Sequence, residues 1–136
     1  SCPAIARRMQ GLSKLVTPRI HAAVLRTLFN GWCTRRRFQQ RGCPSNKCVF
    51  RCSGSAEDSL EHYCRCLIVM RVASNYLHLA YPAEQALKVW MLNSSWCDIS
   101  EVRIGICILI YGAYNAHNSI RNGGVSDSMQ AYHFQT

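Results

Sequence analysis

Four side chains stand at a spacing that suits one metal ion. Cys48 and Cys52 frame the stretch CVFRC, His62 and Cys66 frame HYCRC, and nine residues separate the pairs, giving C-x3-C-x9-H-x3-C. Thiolate sulfur and imidazole nitrogen are the donors zinc prefers, and four of them complete its tetrahedral shell. A closed Cys3His set leaves no position for water or substrate, so the chemistry expected is that of one structural zinc ion. Such a site contributes on the order of 10 kcal/mol to folding, and the metal-free chain is expected to lose structure locally. Two neighbours keep the ligand set open. Cys64 is two residues from His62 and on a helix would face away from it, while Cys43 could replace Cys48 only with a longer loop. A disulfide beside a core histidine is the remaining alternative.

Cysteine usage favours the metal. There are nine cysteines, an odd number, and Cys43, Cys48, Cys52, Cys64 and Cys66 fall within 24 residues together with His62. A disulfide framework would leave one thiol over and would spread across the fold. Metal-binding thiols point to a reducing, intracellular compartment such as the nucleus or an organelle interior. Cys107, inside the apolar run IGICILIYGAY, reads as a small buried hydrophobe.

A second pattern overlaps the first. Arg35, Arg36, Arg37, Arg41, Lys47 and Arg51 lie within 17 residues with no acidic residue among them, and Phe38 and Phe50 are interleaved where they could stack on bases. The whole chain carries 16 Lys plus Arg against 7 Asp plus Glu, a net charge of +9, and thirteen of the sixteen are Arg. Arginine pairs bidentately with phosphate and carboxylate. The partner expected is therefore RNA or DNA, or else an acidic surface on the protein subunits of a larger assembly. In the second case the chain would dock through its basic face and through apolar surface around Trp90, Trp96 and the helix near Ile106.

Catalysis has little to stand on. Of the few acids, Asp58, Glu61, Asp98 and Glu101 read as helix-capping residues, and Glu84 and Asp127 have no spacing that would gather them into a metal-dependent nuclease site. His117 is a lone histidine on a helix, read as structural or exposed. No Gly-rich phosphate loop or nucleophilic serine motif is present, so neither an enzyme nor a small-molecule substrate is expected. The longest apolar run, residues 104–114, falls well short of the roughly 20 residues that span a bilayer.

The elements that must position these groups are helical. Thr17-Pro18 opens a helix whose apolar residues Ile20, Val24, Leu25, Leu28 and Phe29 recur at helical spacing, and Asn30-Gly31 can end it in a left-handed conformation ahead of a core Trp32. A short helix is expected over residues 4–15. Residues 33–57 show no sustained periodicity and read as an irregular loop, with room for one short hairpin. Asp58 with Glu61 suggests a capping box for a third helix that carries both His62 and Cys66 and runs to about residue 79. Pro82 opens a further helix to about Leu92. Asp98 with Glu101 suggests a second capping box, for a central core helix that runs to Arg121 and stops at Gly123-Gly124. The fold class expected is mainly α, with four to five helices and a zinc-knuckle-like loop pinned to the third helix. By domain, residues 1–16 form a basic extension, residues 17–124 the zinc-binding helical domain and residues 125–136 a tail. The chain begins at Ser1 rather than Met, which suggests a processed product or a piece of something longer.

The segments LRTLFNGWCTRRRFQQRGC, CVFRC and DSLEHYCRC, with YNAHNSIRNGG at residues 114–124, resemble the zinc-binding region C-terminal to the polymerase in the reverse transcriptases of non-LTR retrotransposons. The resemblance covers roughly residues 20–124 and rests mainly on the Cys pair, the short acidic spacer, the Glu61-His62 doublet and the following Cys66. It implies zinc at Cys48, Cys52, His62 and Cys66 and contact with nucleic acid. The polymerase is missing: no paired-aspartate polymerase motif occurs in the chain. The resemblance therefore implies either a fragment of a retroelement protein or a domesticated copy, reused as a structural subunit.

Overall fold

The computed structural model describes residues 2–34, 47–53 and 55–123, and it is mainly helical. The apolar run of the sequence becomes the axis of the fold. Helix α6 (Ser100–Arg121) buries Ile106, Cys107, Leu109, Ile110, Ala113, Ala116 and His117. Against it lie α2 (Pro18–Leu28), which packs on it most extensively, α4 (Leu67–Leu77) and α5 (Ala86–Trp90). Two shorter helices complete the described set, α1 (Cys2–Met9) and the single turn α3 (Leu60–Tyr63), with 3₁₀ turns at Leu12–Lys14, Ala83–Gln85 and Ser95–Asp98. Extended pairing among the described residues is limited to one antiparallel bridge between Lys47 and Glu57, which is what the short hairpin of the sequence reading amounts to.

Helix α2 begins at Pro18 as its sequence demands, although the Thr17 side chain makes no capping bond. At its other end Asn30 takes the left-handed conformation (φ 53°). The Gly31 and Asn30 N–H groups then donate back to the carbonyls of Arg26 and Thr27, at 2.6 and 3.1 Å. This double closure satisfies carbonyls that a helix end leaves open and turns the chain inward. It delivers Trp32 to the centre of the molecule, where the indole is fully buried. Trp32 donates from Nε1 to Thr27 Oγ1 at 2.9 Å, and that hydroxyl donates to the Ala23 carbonyl at 2.9 Å. Its ring meets Tyr63, Trp90, Tyr114 and His117 at centroid distances of 5.8, 5.9, 5.5 and 5.4 Å. Aromatic contacts of this kind add roughly 0.5–1.5 kcal/mol each beyond area burial. Trp90 and Ile106 are thus fully buried and Trp96 is half-buried. Of the apolar docking surface expected around them, Trp90 and Ile106 belong to the core, with Trp90 against Trp32, while Trp96 keeps part of its surface.

The N-terminal residues join this core. Arg8 is buried, donating from Nε to Asp98 Oδ1 and from Nη1 to the Leu92 carbonyl, both at 2.8 Å. Asp98 therefore serves Arg8 rather than the expected capping box, and α6 starts after Ile99 without a side-chain cap. Its end is as read: the last helical residue is Arg121, and Gly123 takes a positive φ of 92°. Gly105 lets α6 pass close to Leu79, whose Cδ1 would lie 3.0 Å from a Cβ at that position.

Candidate metal centre

The ligand atoms of Cys48, Cys52, His62 and Cys66 all lie within 4.8 Å of one another. The sulfurs of Cys48 and Cys66 are 3.9 Å apart, and the Cys52 sulfur is 3.2 Å from His62 Nε2. An ion ~2.3 Å from sulfur and ~2.0 Å from imidazole nitrogen sets tetrahedral edges of ~3.8 Å between sulfurs and ~3.5 Å between sulfur and nitrogen. The four donors therefore already outline a shell that could hold one metal ion.

Each donor is placed by local structure. Cys48 and Cys52 come from a tight turn in which Arg51 N–H donates to the Cys48 carbonyl at 3.1 Å, with Arg51 at φ 55°. The turn is closed behind by Cys48 N–H donating to the Ala56 carbonyl at 2.9 Å. His62 sits in the single turn α3, capped by Ser59, whose Oγ accepts from the His62 N–H at 3.2 Å. Two expectations fail here. The cap is Ser59 rather than Asp58, which leaves Glu61 one position early for a capping box. His62 and Cys66 also do not share a long helix. The chain leaves helical form after Tyr63, and Cys66 becomes the residue that precedes the first turn of α4. The break makes chemical sense, because a thiolate at a helix N-terminus faces the open N–H groups of the first turn.

In the pocket without a cation the three thiols cannot all ionise. The Cys66 thiol donates to Cys48, and together with the His62 ring and the backbone N–H groups of Cys52 and Phe50 this holds Cys48 down to about 4 despite its burial. The resulting hydrogen bond and charge push Cys66 well above the ordinary thiol range, and burial, with the Cys48 charge, raises Cys52. A divalent ion reverses this, since it binds thiolates and replaces the shared protons. Cys64 stays outside the set: its Sγ–H donates to the Glu61 carbonyl at 3.1 Å, and burial pushes it up to about 12. Cys107 is likewise buried and pushed up to about 12. Cys43 lies outside the described residues.

Behind the ligands is a buried polar network that the sequence reading missed. Tyr63, the residue after His62, accepts from the Val49 N–H at 3.1 Å and donates a short hydrogen bond to Asp58 Oδ1. That oxygen also lies 2.9 Å from His117 Nε2, and Asp58 Oδ2 lies 3.7 Å from the Arg121 guanidinium. Burial, with the Asp58 charge next, pushes the Tyr63 hydroxyl far up, so it remains a donor. The metal loop, α3 and the C-terminal half of α6 are thereby joined through one carboxylate. Another buried link runs from Trp90 Nε1 to the Tyr81 hydroxyl at 2.9 Å, and from that hydroxyl to the Cys64 carbonyl at 2.8 Å, tying α5 to the break between α3 and α4. Asp58 was legible only as a cap. The available signal was its neighbour: of two adjacent capping residues, Asp58 and Ser59, only one can cap, which frees the other.

Of the basic and aromatic residues expected to meet a partner, Lys47 and Arg51 are exposed beside Cys48. Arg35, Arg36, Arg37, Phe38 and Arg41 lie outside the described residues. Phe50 is 3% exposed and packs edge-on against Tyr63 at 5.5 Å, so it is part of the core and not a base-stacking platform. Among the described residues no helix is long and apolar enough to cross a membrane. No protein-family model matches the chain, and neither a curated protein nor a solved structure matches it.

Proposed function

We propose that this chain is a non-catalytic domain, stabilised by one structural zinc ion, that binds nucleic acid through its basic surface, as the resemblance to retroelement reverse-transcriptase zinc regions implies. The observation that carries the reading is the turn that supplies Cys48 and Cys52. It exposes Lys47 and Arg51 beside two ligands, so the ion that closes the site also fixes two cations of the basic segment. A closed set of three sulfurs and one nitrogen suits zinc over the harder divalent ions. The net charge of +9 supplies the long-range attraction to a polyanion. The alternative, a domesticated subunit docked in a protein assembly, loses Trp90 and Ile106 to the core but keeps the basic face and exposed apolar side chains such as Leu67 and Ile99.

The test is metal analysis of the purified chain together with binding to fluorescent 20-nucleotide RNA and DNA at two salt concentrations. One zinc per chain is expected. Affinity is expected to fall at least tenfold, roughly, between 50 and 200 mM salt, because each neutralised phosphate releases counterion. A zinc-loaded chain that binds neither strand would remove nucleic acid from the reading and leave the protein subunit.

A further inference from the structure

Helices α2 and α6 do not close completely along their outer edge. Between them lies a groove of about 510 Å³. Ala22 and Ala23 on α2 are too small to fill it, and α6 lines it with Tyr111, Tyr114, Asn115 and Asn118, spaced one or two turns apart. Arg19 and Arg26 stand over it from α2, seven residues apart and therefore on one side of that helix. Among the described residues no carboxylate lines the groove, and neither arginine forms an ion pair. Arg26 is held in place instead: its guanidinium carbon lies 5.9 Å from the Tyr114 ring centre, and Tyr114 in turn rests against Trp32. Cations kept over a groove of amide and phenol groups, with no acid among the described residues to answer them, are arranged for an anion from outside. The volume falls in the range that accommodates a small organic ligand. Three residues beyond Arg26, on the same side of α2, Phe29 is 81% exposed, the most exposed large apolar side chain among the described residues.

We propose that this groove holds one nucleotide unit of a single strand, with its phosphate on Arg19 and Arg26, its base against Tyr111 and the amides of Asn115 and Asn118, and the next base stacked on Phe29. Stacking and phosphate contact together are how proteins hold single strands without reading sequence. The inference rests on the nucleic-acid reading above and adds a location that the cysteine-rich segment does not predict.

Binding of a fluorescent 15-nucleotide single strand to the full zinc-loaded chain separates the two. Arg19→Ala/Arg26→Ala is expected to weaken binding about tenfold or more and to lower the slope of log affinity against log salt by about 0.7, the contribution of the one single-strand phosphate that the two arginines share. Phe29→Ala is expected to weaken binding several-fold with the slope unchanged, because stacking releases no counterion. Both variants change exposed residues, and an unchanged melting temperature and zinc content confirm that they fold. Arg71→Ala/Lys88→Ala, which removes two exposed cations elsewhere, is expected to leave the slope unaltered. Equal slope losses in the two double variants would reduce the effect to net charge and overturn the groove. So would uridine monophosphate binding as tightly as the strand, which would make it a free-nucleotide pocket. A strand that binds the wild type and the Arg19/Arg26 variant alike overturns the groove alone. A strand that does not bind the wild type overturns the nucleic-acid reading as well.

Discussion

Asp58 shows how one side chain can be read correctly for its type and wrongly for its partner. A carboxylate at the start of a helical segment is a reasonable cap, but this one is 1% exposed and answers Tyr63, His117 and Arg121 instead. Removing one partner of a buried ionic network leaves the others uncompensated. Asp58→Asn should therefore lower the stability of the zinc-loaded chain by about 3 kcal/mol in urea unfolding while the metal content stays at one per chain. A lost metal would place Asp58 in the coordination chemistry, where the geometry does not put it. The cysteines divide just as sharply. Cys2 and Cys33 are exposed, whereas Cys64, Cys97 and Cys107 are buried with raised pKa values. With metal bound, iodoacetamide should modify Cys2 and Cys33 and spare the other described cysteines. A chelator should then open Cys48, Cys52 and Cys66 to the reagent, which peptide mass mapping would show.

The helices were legible where their signals are local. Thr17-Pro18, Asn30-Gly31 and the run from Ile104 to Tyr114 each act within a turn or two of themselves, and α2 and α6 begin and end close to where those signals place them. The third helix was not legible in the same way. Apolar periodicity continues through residues 60–79, but the chain leaves helical form after Tyr63 and resumes it at Leu67. Cys66 is worth more to the site as a thiol at the start of α4 than in the middle of a long helix, and the chain breaks between Tyr63 and Leu67. His117 was hidden for a different reason, since its partner lies 59 residues away and no local pattern records that pairing. Its position on the core face of α6, four residues beyond Ala113, was the one hint. Element ends also offer room for improvement. His78 terminates α4 in the left-handed conformation at φ 53° and is exposed. His78→Gly should raise stability by roughly 0.5–1 kcal/mol, visible as a higher midpoint in thermal or urea unfolding, because glycine adopts that conformation without steric cost.

The metal centre and the helical core depend on each other through Tyr63, whose hydroxyl is part of the polar network and whose ring is stacked on Trp32. A staple on the order of 10 kcal/mol is as large as the whole stability of a typical domain. Metal removal should therefore unfold the loop and α3 and weaken the core beyond them. The expected readouts are a lower melting temperature and red-shifted tryptophan emission on chelation, both restored by adding zinc. Proton release measures how much of the pocket exists beforehand. A preformed pocket carries Cys48 already ionised, with Cys52 and Cys66 protonated, so zinc would displace about two protons at pH 7. An unfolded loop keeps all three thiols protonated at that pH, and about three would be displaced. We expect three, measured by calorimetry in buffers of different ionisation enthalpy, with binding that tightens as pH rises because the thiols must lose their protons.

The spacing of the molecule's cross-links along the chain also orders its assembly in time. Cys48 and Cys66, whose sulfurs meet in the candidate metal centre, are separated by 18 residues, Asp58 and His117 by 59, and Arg8 and Asp98 by 90. Closing a loop costs about 0.6 kcal/mol more for each doubling of its length. The loop between Cys48 and Cys66 is thus the least costly long-range closure of the three, and the Arg8 clamp the most costly. In a chain emerging from synthesis the four candidate ligands are complete at Cys66, Asp98 follows to receive Arg8, and His117 reaches the waiting carboxylate of Asp58 last. The segment richest in cysteine is thereby the first that a metal ion could close, at the stage when unpaired thiols would be most exposed to the wrong chemistry.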